Sequence, residues 1–351
     1  MKLSVVIVSY NVKPYLGQCI HSLLKALKNI DSEIIIIDND SHDGSVDYIR
    51  SLYPELLLIS NYCNIGFSKA NNVAIRRAKG EYVLLINPDT FVAEDTIDNV
   101  LRFMDSHPSA GGAGVMMHNA DGTLAMESRR GLPSPMTAFY KMVGLCKHYP
   151  MSHRFGKYYM GYLPWDSPQK IEVISGAFMM LRRKAIDEVG MLDEDYFMYG
   201  EDIDLSYRLL KGGWENWYLP YPILHYKGES TKKTSFRYVH VFYNAMLIFL
   251  RKHYRHLGIV LAVPIQFAVY LKAFSTLLYM WCDGIKKSLG FIAPSNADPM
   301  DGVMVVDATK SSYKEIIDML YHQTGNRKRL GMLYPDKNII ITPHGVVRWK
   351  D

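Results

Sequence analysis

Apolar residues in the first 110 positions fall into short continuous runs, separated by stretches with helical periodicity. Residues 3–8 and 34–37 are almost wholly aliphatic, which is typical of strands buried on both faces of a sheet. Apolar side chains over 15–27 recur at helical spacing. The same alternation continues with a helix over 46–52, a strand over 56–59, a helix over 69–78 and a strand over 82–86. This order predicts an α/β domain with a parallel sheet.

The later part of the chain is less regular. Residues 111–166 are rich in Gly, Pro, Met and Tyr and have weak periodicity, as expected of connections and a mobile, substrate-facing region. Residues 258–282 approach the length that spans a bilayer, but Pro264, Gln266 and Lys272 interrupt them. Basic residues flank this stretch, so an interfacial helix, a packing helix and a membrane span all stay open.

Charge and cysteine content exclude several protein classes. The formal net charge of the 351 residues is +5, which is too small for a nucleic-acid-binding protein unless it is clustered. The four cysteines form no CxxC pair, so neither a disulfide framework nor a zinc site is indicated. The N-terminal apolar run is short and lacks the pattern of a signal peptide, so we expect a cytoplasmic protein.

Polar residues follow the predicted strands at the edge where open parallel sheets bind ligands. Ser9, Tyr10 and Asn11 follow the first strand, and Asp38, Asn39 and Ser41 the second. A carboxylate at a strand end can accept hydrogen bonds from a pyrimidine imide or a ribose hydroxyl, with Ser and Asn as further partners. Turn and helix-cap chemistry explains the same residues equally well.

Asn87-Pro88-Asp89 ends the strand over 82–86. Mg²⁺ or Mn²⁺ on a diphosphate needs hard oxygen ligands and keeps several waters, so Asp89 is a candidate metal ligand. The alternative is an Asn-Pro turn followed by an Asp cap on a helix over 93–103.

Six acidic residues cluster over 190–208 in an apolar and aromatic setting. Burial among aromatic rings raises the pKa of a carboxylate, which suits a general base. Glu201 and Asp202 begin a predicted helix, where acids also complement the helix dipole. His225, after a predicted strand, is either a metal ligand or a core histidine.

Together these segments resemble the family 2 glycosyltransferases of the GT-A fold, most closely the rhamnosyltransferase-like branch. The resemblance covers about residues 1–250 and rests on VVIVSYN, IDNDSHDGS, NIGFSKANN, INPDT, SGAFMMLRR, LDEDYFMYGEDIDLSYR and HYKGES. It implies a mixed, mainly parallel sheet flanked by helices, with a catalytic domain over 1–250. A basic, apolar helical segment over 251–295 would associate with a membrane, and a small extension of unknown role would follow over 296–351.

The resemblance also implies roles for residues. The nucleotide would be held by Ser9, Tyr10, Asn11 and Asp38, with Asn64, Gly66 and Asn72 lining the same pocket. Asp89 would bind the divalent ion and His225 would complete that site, while Gly176 would border the donor sugar or the acceptor. Asp202 is the expected base and Glu201 the next candidate. Many relatives carry Asp where this chain has Asn87, which puts the strength of metal binding in question.

The expected activity is inverting transfer of a sugar, such as rhamnose, from a dTDP- or UDP-sugar to a hydroxyl of a lipid-linked or other saccharide acceptor in cell-surface polysaccharide synthesis. We expect the protein on the cytoplasmic face of the plasma membrane, bound peripherally, with no nucleic-acid partner. A catalytically inactive nucleotide-sugar-binding scaffold of the same fold is the alternative. A dinucleotide-dependent oxidoreductase is disfavoured because no GxGxxG turn follows the first strand.

Overall fold

The computed structural model describes residues 1–226, 236–254 and 300–349, together with positions 270, 274, 275, 278, 281 and 282. The last four residues of the HYKGES segment, and most of the predicted membrane-associating stretch over 258–282, lie outside these described residues.

The described chain alternates strands and helices over its first half and becomes more strand-rich later. Its strands are β1 (Leu3–Ser9), β2 (Ser32–Asp38), β3 (Leu57–Ser60), β4 (Tyr82–Ile86), β5 (Thr90–Val92), β6 (Ala110–His118), β7 (Gln169–Ile171), β8 (Phe178–Arg182), β9 (Glu215–His225), β10 (Val303–Asp307), β11 (Arg329–Tyr334), β12 (Ile339–Thr342) and β13 (Gly345–Arg348). Its α-helices are α1 (Lys13–Ala26), α2 (Ser45–Leu52), α3 (Phe67–Ile75), α4 (Thr96–Ser106), α5 (Pro135–Met142), α6 (Leu145–His148), α7 (Arg183–Val189), α8 (Glu201–Lys211), α9 (Phe236–His253) and α10 (Tyr313–Tyr321).

A nine-stranded mixed sheet forms the main body, in the order β3-β2-β1-β4-β8-β6-β9-β5, with β7 pairing β9. The longest ladders are parallel, β1 with β2 and β6 with β9. Strand β8 runs antiparallel to its neighbours β4 and β6, and β5 runs antiparallel to β9. The predicted fold class, a mixed and mainly parallel sheet flanked by helices, is therefore confirmed.

Helices cover both faces of this sheet. On one face, the apolar stripes of α1 and α4 pack on the strands through side chains such as Leu16, Ile20 and Val100. On the other face, α3, α7 and α8 pack through Ala74, Ile186 and others. Because both faces are covered, the inner strands must be apolar throughout, which explains the continuous runs over 3–8 and 34–37.

Several predicted elements shift slightly in position. The helix predicted over 69–78 is α3, which begins after Gly66, whose φ is 88°. The helix predicted over 93–103 is α4, which begins at Thr96 because residues 90–92 first pair with β9 as β5. Residues 111–166 contain the long strand β6 and the helices α5 and α6, elements that their weak periodicity did not predict.

The C-terminal residues 300–349 form a second, four-stranded sheet in the order β10-β11-β12-β13. Helix α10 connects the parallel strands β10 and β11 and carries the apolar stripe seen in the sequence, Tyr313, Ile316, Ile317 and Leu320. This stripe packs into a core shared with Tyr15 and Phe91 of the main body. The hydroxyl of Tyr15 donates a 2.7 Å hydrogen bond to the Thr342 carbonyl.

A helix that crosses a bilayer must be long and mainly apolar. Within the described ranges, none is both long enough and apolar enough to cross a bilayer.

Candidate active site

Two buried polar atoms mark the carboxyl ends of β1 and β2. Ser9 pairs with Asp38 in the parallel ladder, so the two side chains end adjacent strands. One carboxylate oxygen of Asp38 accepts the Ser41 N–H at 2.9 Å. Its other oxygen, Oδ1, and the Ser9 hydroxyl are buried and have no hydrogen-bond partner in the part of the chain that the structure describes. Because buried polar atoms are almost always paired, this edge is suited to a polar ligand.

The loops after β1 and β2 brace each other. Asn11 donates its backbone N–H to the Ser41 hydroxyl at 2.9 Å and accepts the His42 N–H at 2.7 Å through its side chain. Asn11 and Asp40 both adopt positive φ, 54° and 73°, a conformation that Asn and Asp tolerate better than most residues. Tyr10 is partly exposed beside this junction. Turn chemistry therefore accounts for the described contacts of Asn11 and Ser41.

An amide network connects the second loop with α3. Asn39 donates to the Asn64 side-chain oxygen at 2.9 Å and accepts the Ile65 N–H at 3.1 Å. A Cβ at Gly66 would lie 2.7 Å from the Phe197 carbonyl oxygen, so the chain needs glycine there in order to pass. The loop before α3 is thereby packed directly against the acidic segment over 190–208.

Asn72 is predicted to line the same pocket, and the structure shows its contacts in detail. It is buried, donates to the Leu192 carbonyl at 2.8 Å and to Glu194 at 3.0 Å, and accepts the Leu192 N–H at 3.1 Å. These bonds tether the acidic segment to α3.

Asp89 and His225 meet because of the sheet register. Thr90 pairs with His225 in the β5–β9 ladder, and the Tyr226 N–H donates to the Asp89 carbonyl at 3.0 Å. This register places Asp89 Oδ1 3.2 Å from His225 Nε2, with both side chains largely buried. The Asn87 side-chain nitrogen lies 3.5 Å from the same ring nitrogen.

The Asp89–His225 pair fits a divalent cation. Two adjacent ligands of an octahedral Mg²⁺, each at about 2.1 Å, are about 3 Å apart. The 3.2 Å separation of the two side-chain atoms matches this geometry. Within the described residues no cluster of three His, Cys, Asp or Glu side chains suitable for a metal occurs, so phosphate oxygens and water would supply the remaining ligands.

Asp202 lies in the first turn of α8 and faces the start of β8. Its Oδ2 forms an ion pair with Arg130 and accepts the Gly176 N–H at 3.2 Å. The residue after Gly176, Ala177, accepts the Asn87 N–H through its carbonyl at 3.1 Å. Asn87 lies two residues before Asp89, the first residue of the candidate metal site. This chain of contacts brings the start of α8 and the Asn87–Asp89 turn to the same edge of the sheet.

Glu201 is buried one residue earlier. Burial, followed by the negative charge of Asp202, raises the pKa of Glu201 to about 8. Its Oε2 accepts no hydrogen bond from the described residues. The neighbouring carboxylates thus differ sharply in environment, one ion-paired and one buried.

The other acids of the 190–208 segment hold the structure together. Asp204 is fully buried and bonds to His253 at 2.6 Å and to Arg208 at 2.7 Å. Lys252 forms ion pairs with Asp193 and, at 2.5 Å, with Asp195. These contacts fasten α9 to the acidic segment and α8.

Arg130 was not predicted as a site residue. It lies in a region of weak periodicity, and its partner Asp202 is 72 positions away. A signal was available in the adjacent arginines 129 and 130, since paired cations are unusual in a segment otherwise so apolar. The adjoining Arg129 is also buried, with its guanidinium 3.6 Å from the ring centroid of Trp165.

Comparison with known proteins gives consistent matches. The model of "Glycosyl transferase family 2" matches residues 4–190. The N-acetylglucosaminyl-diphospho-decaprenol L-rhamnosyltransferase of Mycobacterium tuberculosis is 31% identical over 268 residues, which are 73% of this chain and 85% of that protein. Rhamnosyltransferase WbbL of Escherichia coli is 27% identical over 260 residues, 67% of this chain and 91% of that protein.

Among solved structures, residues 1–349 of TarS from S. aureus in complex with UDP align with a TM-score of 0.46 and 17% identity, covering 70% of this chain and 66% of that one. The family model alone spans more than half of the chain, from β1 through α7. On that match and on the similarity to the mycobacterial enzyme, this chain belongs to glycosyl transferase family 2.

Proposed function

We propose that this protein transfers a sugar, with inversion, from a dTDP- or UDP-sugar to a hydroxyl group of a lipid-linked glycan acceptor. The observation that carries the proposal is the contact chain from Asp202 through Gly176 and Ala177 to Asn87, because it links the Asp202 carboxylate to the turn that carries Asp89. The acceptor class is supported by the similarity to the mycobacterial enzyme, whose name includes a diphospho-decaprenol. Rhamnose is the favoured sugar for the same reason.

The donor nucleotide is assigned to the ends of β1 and β2. The free Oδ1 of Asp38 can accept a hydrogen bond from the imide N–H of thymine or uracil, and the Ser9 hydroxyl can bond to the same ring or its ribose. Tyr10, Asn11, Asn39, Ser41, Asn64 and Gly66 form the surrounding loops. Asn72 contributes through its tether to Leu192, which positions the acidic segment.

Asp89 and His225 would hold Mg²⁺ or Mn²⁺, whose role when bound is to offset the negative charge on the departing diphosphate. Asn87 lies beside this pair and, through the Ala177 carbonyl, connects it to the turn that carries Gly176, just before β8.

Asp202 is the proposed base. It removes the proton of the acceptor hydroxyl as that oxygen forms a bond to the anomeric carbon, and the bond from this carbon to the diphosphate oxygen breaks on the opposite face. Asp202 is the more exposed of the two carboxylates and touches Gly176 at the sheet edge. Arg130 pairs with the Asp202 carboxylate until an acceptor approaches. Buried Glu201 retains a proton near neutral pH because its pKa is raised.

The proposal is tested with purified protein and a panel of dTDP- and UDP-sugars, with Mn²⁺ or Mg²⁺ and then with chelator, on a polyprenyl-diphosphate-linked saccharide. We expect transfer with one donor, inverted anomeric configuration by NMR, and a loss of about 100-fold or more in kcat for Asp202→Asn. Glu201→Gln should lose less. A larger loss in Glu201→Gln than in Asp202→Asn would make Glu201 the base, and equal losses would overturn the assignment of the base to Asp202 alone. Nucleotide binding without any transfer would instead favour the non-catalytic scaffold.

The cellular position follows from the acceptor. A polyprenyl-linked glycan under assembly lies at a membrane surface, so we place the protein peripherally on the cytoplasmic face of the plasma membrane, with segment 251–295 as one contact and the catalytic domain over 1–250 next to it. The sequence signal for that contact is the basic flanking of residues 258–282.

A further inference from the structure

Helix α5 exposes an apolar stripe that no part of the described protein covers. Met136, Phe139 and Val143 follow one another at intervals of three and four residues, so they lie on one side of the helix, and each is about half exposed. Thr137 and Tyr140, on the adjoining side of the helix, are buried, and the Tyr140 ring packs edge-on against Phe155 at 5.0 Å. The helix is therefore anchored on its inner side and open on its outer side.

The apolar surface continues beyond the helix. Tyr149 and Met151, which follow α6, are 56% and 68% exposed. Ser134 caps α5 with a complete capping box, and Pro135 occupies the first turn, so the helix has a well-defined start. We refer to Met136, Phe139, Val143, Tyr149 and Met151 as the α5–α6 surface.

The charge around this surface has one sign. Between Glu127 and Asp166 the sequence contains six Lys or Arg residues and no Asp or Glu. Lys147 and Arg154 are exposed and lie two and three residues from Tyr149 and Met151 in the sequence, whereas Lys157 pairs with Glu172 at 3.3 Å. An apolar stripe flanked by cations matches a surface that presents anionic headgroups over an apolar interior.

The α5–α6 surface is connected to the candidate active site. Arg130, the partner of Asp202, lies five residues before the helix. Leu132 packs in the cluster of Tyr196, Ala245 and Phe249, and Tyr196 lies against Gly200, the residue before Glu201. The segment that leads into α5 and the start of α8 thus pack against the same apolar cluster.

We propose that the α5–α6 surface docks on an anionic lipid bilayer, in addition to any contact made by segment 251–295. The apolar side chains insert at the boundary between headgroups and acyl chains, and the cations contact the lipid phosphates. This inference deepens the proposed function, on which its purpose rests, by naming the surface that brings the active site to a membrane-held acceptor. The bilayer contact itself needs neither donor nor acceptor and can be measured alone.

The test is co-sedimentation of the full chain with vesicles of phosphatidylcholine containing 30% phosphatidylglycerol, roughly the anionic content that recruits basic amphipathic surfaces. The test variant combines Met136→Ser, Phe139→Ser and Val143→Ser. The matched control combines Leu52→Ser, Met319→Ser and Val346→Ser, three similarly exposed apolar side chains on other elements. We expect the test variant to partition at least about tenfold more weakly than wild type and the control to partition like wild type.

The electrostatic part has its own variant. Lys147→Gln should weaken partitioning about fivefold on anionic vesicles, since each cation near such a surface is worth about 1 kcal/mol, and should have no effect on pure phosphatidylcholine.

The proposal would be overturned if wild type and the triple variant partitioned equally. It would also be overturned if wild type were a dimer, the triple variant a monomer, and both bound vesicles equally well. The triple variant should still transfer sugar to a soluble, short-chain acceptor. If neither the triple variant nor wild type transferred sugar, that result would count against the proposed function and not against the docking surface.

Discussion

Asp89 Oδ1 lies 3.2 Å from His225 Nε2, although the two residues are 136 positions apart in the sequence. The contact follows from the antiparallel register of β5 and β9, which sets Thr90 opposite His225. Carboxylate and imidazole therefore converge at a strand end where the side chains are shielded from bulk water.

We predict that Asp89→Asn weakens Mn²⁺ binding in the presence of nucleotide diphosphate at least about tenfold and lowers sugar transfer about 100-fold, because an amide is a poorer ligand for a hard cation. Electron paramagnetic resonance of free Mn²⁺ measures the first effect directly. The control is Asp98→Asn, which removes a carboxylate that only pairs with Arg102 on the surface of α4. Unchanged Mn²⁺ affinity in Asp89→Asn would place the cation elsewhere.

A second prediction concerns the ion pair between Arg130 and Asp202. Arg130→Met leaves a poorly solvated carboxylate without its partner and should reduce the free energy of unfolding by about 3 kcal/mol. Adding Asp202→Leu should restore about 1 kcal/mol or more, because the uncompensated charge is then removed. Urea denaturation of the two single variants and the double variant gives the coupling. Strictly additive losses would show that the two side chains do not interact energetically.

The pH dependence of stability should reveal the buried Glu201. Its pKa is raised in the folded state to about 8, whereas an unfolded Glu titrates near its ordinary value of about 4.3. The folded protein therefore binds the extra proton between these values, and the stabilisation present at low pH is lost as the pH rises through the folded pKa.

Glu201→Gln abolishes this loss. Relative to wild type, the variant should gain on the order of 3 kcal/mol in unfolding free energy between pH 4 and pH 9. Paired urea titrations at the two pH values measure this difference, and contributions from all other titrating groups largely cancel. A difference that does not change with pH would mean that the pKa of Glu201 is not raised in the folded protein.

The last prediction tests how the C-terminal sheet is attached. Glu94 accepts the backbone N–H groups of Tyr313 and Lys314 at 2.9 and 3.1 Å, so a side chain of the main body caps α10. Glu94→Ala should cost about 1 kcal/mol. Asp95→Ala, which removes only an exposed ion pair with Lys314, should cost less than about 0.5 kcal/mol.

Hydrogen exchange offers a local readout of the same contact. In Glu94→Ala, amides of β10 and β11 should lose protection while those of β1 and β4 keep it. Uniform loss in both sheets would indicate that the two parts unfold as one unit. No loss in either would mean that the cap contributes nothing to docking.

The sequence by itself determined the main sheet and the polar strand ends. Continuous aliphatic runs such as residues 34–37 are buried only if the strand is covered on both faces of the sheet. The helical periodicity of residues 15–27 predicts a helix that covers one of these faces. Because parallel strands end at one edge, Ser9 and Asp38 had to come together there, and the structure pairs them directly.

Tertiary structure alone decided how the acids of segment 190–208 divide their tasks. Asp204 bonds to His253, 49 positions away, and Asp202 to Arg130, 72 positions away, while Glu201 is buried and its Oε2 has no hydrogen-bond partner among the described residues. Local pattern shows that a carboxylate is present but not which distant cation reaches it. Strand register and helix packing set those distances, and through them the charge and the accessibility of each acid.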